Sequence, residues 1–87
     1  MNENEILEVE MVLGGGTKVQ MKIQECEDWN EIEPGTKALI LLVNGEQMLV
    51  EINDADEDEG VSFKTIGDKR SYHYDGNVVT SIFVEVN

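Results

Sequence analysis

Hydrophobic and polar residues alternate along much of this chain with a period of two, the pattern of a β-strand with one buried face. Two segments show it most clearly, one built on Leu7, Val9, Met11 and Leu13, the other on Val19, Met21 and Ile23. Three glycines at 14–16 separate them and permit a tight reversal. Residues 5–24 are therefore predicted to form a β-hairpin.

The second half of the chain predicts further short strands. Residues 37–43 are continuously apolar after the lysine, as expected of a strand covered on both faces. Asn44-Gly45 is typical of a type I′ turn. The strands that follow are predicted at 46–52, 61–66, 71–74 and 77–86, with turns at 67–69 and at Asp75-Gly76.

An acidic connection, 25–36, joins the hairpin to this meander at 37–86, and Pro34-Gly35 marks a turn within it. Its best helical stretch, Cys26 to Ile32, has only Trp29 and Ile32 as apolar anchors, so no helix is predicted. Six or seven short strands with glycine turns favour an all-β fold. We expect residues 1–87 to form one small antiparallel β-barrel, SH3-like or Sm-like, because closure removes exposed sheet edges.

A shift of 29 residues places Gly16 on Gly45 and Ile23 on Ile52. The same shift places Glu25 on Asp54. Each copy would be a turn glycine, a strand and an acidic segment. Any β-meander resembles this pattern, so the sequence leaves a duplication open.

The charge is extreme for 87 residues: 19 acids against 6 bases give a formal net charge of −13. Such a chain repels phosphate, so direct nucleic acid binding is not expected. Cys26 is the only cysteine, which is typical of a reducing compartment and excludes an internal disulfide. The first residues lack a signal-peptide pattern and no apolar run is long enough to span a membrane, so we expect a cytoplasmic protein.

Residues 37–86 resemble the Sm-like family of small β-barrels, the LSm and Hfq type. Gly45 is followed by Met48 and Ile52 at core spacing, and Asp56 falls where the family has its motif aspartate. The strand "VSF" (61–63) and the segment "YDGNVVTSI" around Gly76 echo the rest of the family's two motifs. The resemblance implies a small barrel and, in that family, RNA bases bound at two loops, usually in a ring.

This chain departs from the Sm-like pattern at those RNA-contacting positions. Gly60 stands where the family has an asparagine, and Asp75 where it has an arginine. The first half also differs, because a hairpin is predicted where the family has a short helix. The resemblance therefore implies the fold and not the RNA-binding activity.

The stretch "INDADEDEGV" (52–61) is the most acidic, with five acids at the six positions 54–59. A calcium-binding EF-hand loop needs glycine at its sixth position and glutamate at its twelfth. Counting from Asp54, Gly60 is seventh and Thr65 twelfth, so the spacing excludes an EF-hand and leaves a looser cation site open. No metal site or cofactor is predicted.

The alternative is a docking surface for a basic partner, formed if the two acidic segments lie at the same end of the barrel. Its predicted residues are Glu25, Glu27, Asp28, Asp54, Asp56, Glu57, Asp58 and Glu59. A second candidate, a stacking surface for a planar ligand, is predicted where bases and aromatics interleave. Its residues are Lys69, Arg70, Tyr72, His73 and Tyr74, although the tyrosines alternate with His73 and could instead cap the core.

Catalysis is not predicted. His73 and Cys26 are the only residues of their types and lie on different segments. We expect a non-catalytic interaction or assembly module whose acidic loops engage a basic protein surface. The alternatives are an inhibitor that mimics nucleic acid and a binder of a divalent cation or small ligand through residues 54–59. The sequence leaves open whether copies of the chain assemble.

Overall fold

The computed structural model describes residues 5–12, 15–66 and 70–86. Leu13, Gly14 and the predicted turn at 67–69, with Lys69, lie outside these residues. The described chain forms seven strands and one short 3₁₀ helix. The strands are β1 (Ile6–Val12), β2 (Lys18–Glu25), β3 (Thr36–Leu42), β4 (Gln47–Asp56), β5 (Gly60–Thr65), β6 (Ser71–Tyr74) and β7 (Val79–Glu85), and the 3₁₀ helix is η1 (Trp29–Glu31).

All strand pairs are antiparallel and belong to one sheet in the order β1-β2-β7-β3-β4-β5-β6. The all-β prediction and the N-terminal hairpin are confirmed. Strands β3 to β6 pair in sequence order as a meander. The prediction had continued this meander to residue 86, whereas β7 returns to pair with both β3 and β2. Among the described strands, β1 and β6 each have one neighbour, so these pairings leave the sheet open and the closed barrel stays a prediction.

Strand β3 carries core residues on both of its faces, as its continuous apolar sequence predicts. Ala38 and Ile40 point into the larger hydrophobic cluster, while Leu39 points into a smaller one on the opposite face. The larger cluster also holds the fully buried Ile52, Val61, Phe63 and Ile82. In the smaller cluster, Met21 and Ile23 of the hairpin pack with Leu39 and Leu49.

The sheet is curled, because β6 and β7 stand four strand positions apart yet are joined by a tight turn. The Val78 N–H donates to the Asp75 carbonyl at 3.0 Å. Such a turn keeps the ends of β6 and β7 within ~15 Å of each other. In a flat sheet, four spacings of ~4.8 Å would separate the two strands by ~19 Å. The curl brings the β4–β5 turn towards β7.

Strand β4 is longer than predicted and changes the description of the acidic stretch. It continues through Asp56, so the predicted loop 54–59 is wrong and only residues 57–59 form the turn. Ala55 is buried in the larger cluster, and the β4–β5 register shifts between Ile52 and Asp54. Because Ala55 is small and the register shifts, the sequence pattern does not show where β4 ends.

The turn at Asn44-Gly45 also differs from the predicted two-residue type I′ turn. The Gly45 N–H donates to the Leu42 carbonyl, and the Leu42 N–H to the Glu46 carbonyl, each at 2.9 Å. Gly45 has a φ of 90°. This is a three-residue loop closed by a glycine in the left-handed region.

The β1–β2 and β3–β4 hairpins share one pairing register under the 29-residue shift found in the sequence. Val12 pairs with Lys18 in the first hairpin, and their shifted counterparts Leu41 and Gln47 pair in the second. Buried Ile23 corresponds to buried Ile52. The similarity is therefore one of hairpin geometry as well as of sequence.

Candidate acidic docking surface

The connection between β2 and β3 is held against the larger cluster by its two apolar anchors. Trp29 and Ile32 pack on that cluster. Asp28 stabilises the start of η1, because its side-chain Oδ1 accepts a hydrogen bond from the Asn30 N–H at 3.1 Å. The Cys26 N–H donates to the Ile82 carbonyl at 2.9 Å. These contacts fix residues 25–28 beside the start of β7.

The β4–β5 turn is stabilised by Asp56. Its Oδ1 accepts hydrogen bonds from the Asp58 N–H at 2.7 Å and from the Glu59 N–H at 3.1 Å. An aspartate that satisfies two turn N–H groups in this way shapes the turn. Glu57, Asp58 and Glu59 are exposed.

The β6–β7 turn lies directly against this β4–β5 turn. A Cβ on Gly76 would stand 2.7 Å from the Glu57 carbonyl oxygen, closer than real Cβ atoms come. Gly60, with a φ of 109°, similarly lies against the Tyr74 carbonyl. The two glycines let the turns touch through their main chains and bring Asp75 beside Glu57 and Asp58.

Two shallow depressions meet at Glu57. One, of about 550 Å³, is lined by Glu57, Asp58, Asp75, Gly76 and Asn77. The other, of about 400 Å³, is lined by Glu25, Cys26, Glu27, Trp29, Glu57, Val79, Thr80 and Ser81. No lysine, arginine or histidine is among these lining residues.

We call the carboxylates around these depressions the acidic surface: Glu25, Glu27, Glu57, Asp58 and Asp75. Four of them are sequence-predicted site residues. The two acidic segments thus meet at one end of the sheet. The predicted docking surface required this meeting. Asp75 was not among the predicted docking residues. The sequence comparison noted it only because the Sm-like family has an arginine at this position.

The other predicted acidic residues lie in different settings. Asp28 and Asp56 use their side chains to hold local main chain, as described above. Asp54 lies in β4 directly opposite Ser62 of β5, and Ser62 lies opposite His73 of β6. Asp54 lines neither depression and lies in a cross-strand row with these two polar residues.

His73 has a hydrogen-bond partner at each ring nitrogen. Its Nε2 lies 3.0 Å from the Glu59 carbonyl and its Nδ1 lies 2.8 Å from Ser62 Oγ. A carbonyl can only accept, so Nε2 carries the proton, and in the neutral ring Ser62 donates to Nδ1. The Asp75 carboxylate lies 3.9 Å from Nε2. His73 thereby ties β6 to the β4–β5 turn.

The predicted stacking residues do not present one common surface. Tyr72 and Tyr74 pack against buried Phe63, with ring centroids 5.6 Å and 5.4 Å from it, the first stacked and the second edge-on. His73 points to the opposite face, as the alternation predicts. Arg70 is exposed at the start of β6. The tyrosine rings therefore serve the core, the alternative that the sequence had left open.

Cys26 is a free, half-buried thiol whose Sγ donates to the Asp28 carbonyl at 3.2 Å. Burial raises the pKa of this thiol above its ordinary value, and the nearby charges of Glu31, Asp28 and Glu27 add to the rise. The thiol is therefore kept protonated, and so less nucleophilic, by its surroundings.

In the part of the chain that the structure describes, no group of three or more histidine, cysteine, aspartate or glutamate side chains is arranged to hold a metal ion. The same residues include no helix long and apolar enough to cross a membrane. Comparison with protein-family models, with curated proteins and with solved structures finds no match to this chain.

Proposed function

We propose that this protein is a non-catalytic interaction module that docks on a basic protein surface through its acidic surface. The observation that carries the proposal is the meeting of two acidic segments, distant in sequence, at Glu57. Carboxylates concentrated at one end of a small fold produce a local negative potential, which accelerates and orients the approach of a basic partner.

The geometry at Trp29 supports a specific contact as well as long-range attraction. Trp29 is half-buried and lines the same depression as Glu25, Glu27 and Glu57. An arginine or lysine side chain entering this depression would meet carboxylates and the indole together. Aromatic contacts of this kind supply binding energy that screened surface charges do not.

We infer further that the curled sheet belongs to the small-barrel class, SH3-like or Sm-like. The support is the tight β6–β7 turn, which draws the two ends of the five-strand segment β7-β3-β4-β5-β6 together. In this proposal the Sm-like resemblance extends to the fold alone. Asp75 brings negative charge to a position where the Sm-like family has an RNA-binding arginine.

Amide chemical-shift mapping with a synthetic peptide of alternating lysine and glycine tests this proposal. Glycine makes the peptide a poor strand former, so its binding reports charge recognition. The proposal predicts that the largest shifts fall on residues 25–29, 57–58 and 75–77 and fade as salt is added. Shifts spread evenly over the exposed acids, or concentrated elsewhere, would reject it.

A further inference from the structure

Strand β1 is a long, regular sheet edge. It runs for seven residues in an unbroken register with β2, and among the described strands it has no neighbour on its other side. Natural edge strands are commonly protected by charged side chains, lysine above all, by proline, by a bulge or by short length. The sequence ILEVEMV contains neither lysine nor proline. Among the described residues, no strand pairs with its outward main-chain groups.

The side chains of β1 combine exposed apolar surface with negative charge. Glu8 and Glu10 lie on one face, between Ile6 at 55% exposure and Val12 at 64%. On the other face, Leu7 is 40% exposed, while Val9 packs against the smaller hydrophobic cluster. An added strand would thus meet glutamates on one face and apolar side chains on the other.

A second copy of β1 is a poor occupant of this edge. Antiparallel pairing of two β1 strands about Val9 would set Glu8 of each copy opposite Glu10 of the other. Centring the pair on Glu8 or on Glu10 would set a glutamate opposite itself. Like charges directly opposite each other destabilise a strand pair. Centring the pair on Leu7 or on Met11 would avoid these contacts but would pair only three residues of β1 with their copies, so the glutamates disfavour every register that pairs five or more.

The lysine-bearing part of β2 is also a poor occupant. From Lys22 onward, the outer edge of β2 is already paired, and the Lys22 carbonyl accepts a hydrogen bond from the Val86 N–H at 2.8 Å. Residues 23–25 pair with β7. Only the short segment from Lys18 to Met21 remains beside the seven residues of β1.

We propose that β1 accepts an extended basic segment of a partner protein as an additional strand, with lysine or arginine side chains opposite Glu8 and Glu10. Main-chain hydrogen bonds would supply the pairing, and alternate side chains would supply the selection. Apolar residues between the bases would cover Leu7 and Val9. This site is distinct from the acidic surface, and either can exist without the other.

The test uses a synthetic peptide of alternating lysine and valine, with amide hydrogen exchange of residues 6–12 as the readout. We expect these amides to gain protection when the peptide binds. A peptide of the same sequence with N-methyl groups on alternate residues cannot pair along its methylated edge. We expect one of the two possible methylated versions to lose binding. Equal binding by both would overturn strand addition.

Charge reversal tests the selection. The double substitution Glu8→Lys and Glu10→Lys should lower the affinity for the lysine–valine peptide by about tenfold or more. It should raise the affinity for a glutamate–valine peptide by a similar factor. Glu8→Gln with Glu10→Gln should give an intermediate loss, and it serves if the reversed protein does not fold. Unchanged affinity in a folded variant would overturn the assignment.

Two controls separate this proposal from its competitors. Glu25→Gln, Glu27→Gln and Glu57→Gln together should leave the protection of residues 6–12 unchanged, whatever they do to binding at the acidic surface. The protein alone should stay monomeric at micromolar concentration. Self-association that protects β1 without any peptide would show that the edge is occupied by another copy and would overturn the proposal.

Discussion

Gly76 lies against the main-chain carbonyl of Glu57, so closely that a Cβ at position 76 would stand 2.7 Å from the carbonyl oxygen. This contact joins the β6–β7 turn to the β4–β5 turn without side chains between them. It places Asp75 beside Glu57 and Asp58 at one end of the sheet. The acidic surface therefore depends on two close main-chain approaches, at Gly76 and at Gly60.

Substitution of Gly60 by alanine should destabilise the protein far more than the same change at Gly45. Both glycines have a positive φ, which costs alanine ~1–2 kcal/mol. Gly45 faces open space, whereas a Cβ on Gly60 would collide with the Tyr74 carbonyl. We expect Gly60→Ala to lower the free energy of unfolding by a further ~1–3 kcal/mol. Urea unfolding of both variants measures the difference, and equal losses would contradict the close contact of the two turns.

Asp56 should contribute to stability where its neighbour Asp58 does not. Asp56→Ala removes the oxygen that accepts two turn N–H groups, so we expect a loss of ~1–2 kcal/mol. Asp58→Ala removes the same charge from an exposed side chain and should change stability by less than ~0.5 kcal/mol. Thermal and urea unfolding compare the pair. Asp56→Asn, which keeps an acceptor oxygen, should recover most of the loss.

The ionisation of Cys26 should make stability fall as the solution becomes alkaline. The folded thiol has a raised pKa, so the unfolded chain releases this proton at lower pH than the folded chain does. The free energy of unfolding contributed by the thiol is therefore fully present below the unfolded pKa and declines as pH rises above it. Cys26→Ser should reduce this alkaline decline.

The rate of Cys26 alkylation by a neutral reagent reports the same ionisation directly. We expect the rate to reach its plateau at higher pH in the folded protein than in a peptide of residues 23–29. Glu31→Gln should move the folded profile to lower pH, because it removes a negative charge that contributes to the raised pKa. A folded profile that matches that of the peptide would contradict the raised pKa.

The strands could be predicted from sequence wherever their periodicity was strong. Alternation at Val19, Met21 and Ile23 predicts β2, and the unbroken apolar run predicts a β3 that is buried on both faces. The end of β4 was not predictable, because buried Ala55 sits between two aspartates and carries almost no hydrophobic signal. The local sequence pattern thus predicts which segments form strands better than it predicts where those strands end.

The acidic surface was only partly predictable, for a different reason. The sequence identifies Glu25, Glu27, Glu57 and Asp58 as concentrated charge, but their meeting depends on the curl of the sheet. That curl follows from the pairing of β7 with β3 and from the tight β6–β7 turn, which are non-local. Gly60 and Gly76 were visible in the sequence. The reason that glycine is needed at these positions, the close contact between the two turns, can be seen only in the three-dimensional structure.

The most direct test of the acidic surface is a comparison of two triple variants that remove equal charge. Glu25→Gln, Glu27→Gln and Glu57→Gln alter the surface, whereas Glu5→Gln, Glu8→Gln and Glu46→Gln alter exposed acids that line none of the depressions. Affinity for the lysine–glycine peptide is measured by calorimetry at several salt concentrations. We predict about a tenfold loss for the first variant, from three pairs of ~0.5 kcal/mol each, and little change for the second. Equal losses in the two variants would show that net charge alone attracts the peptide and would contradict a localised docking surface.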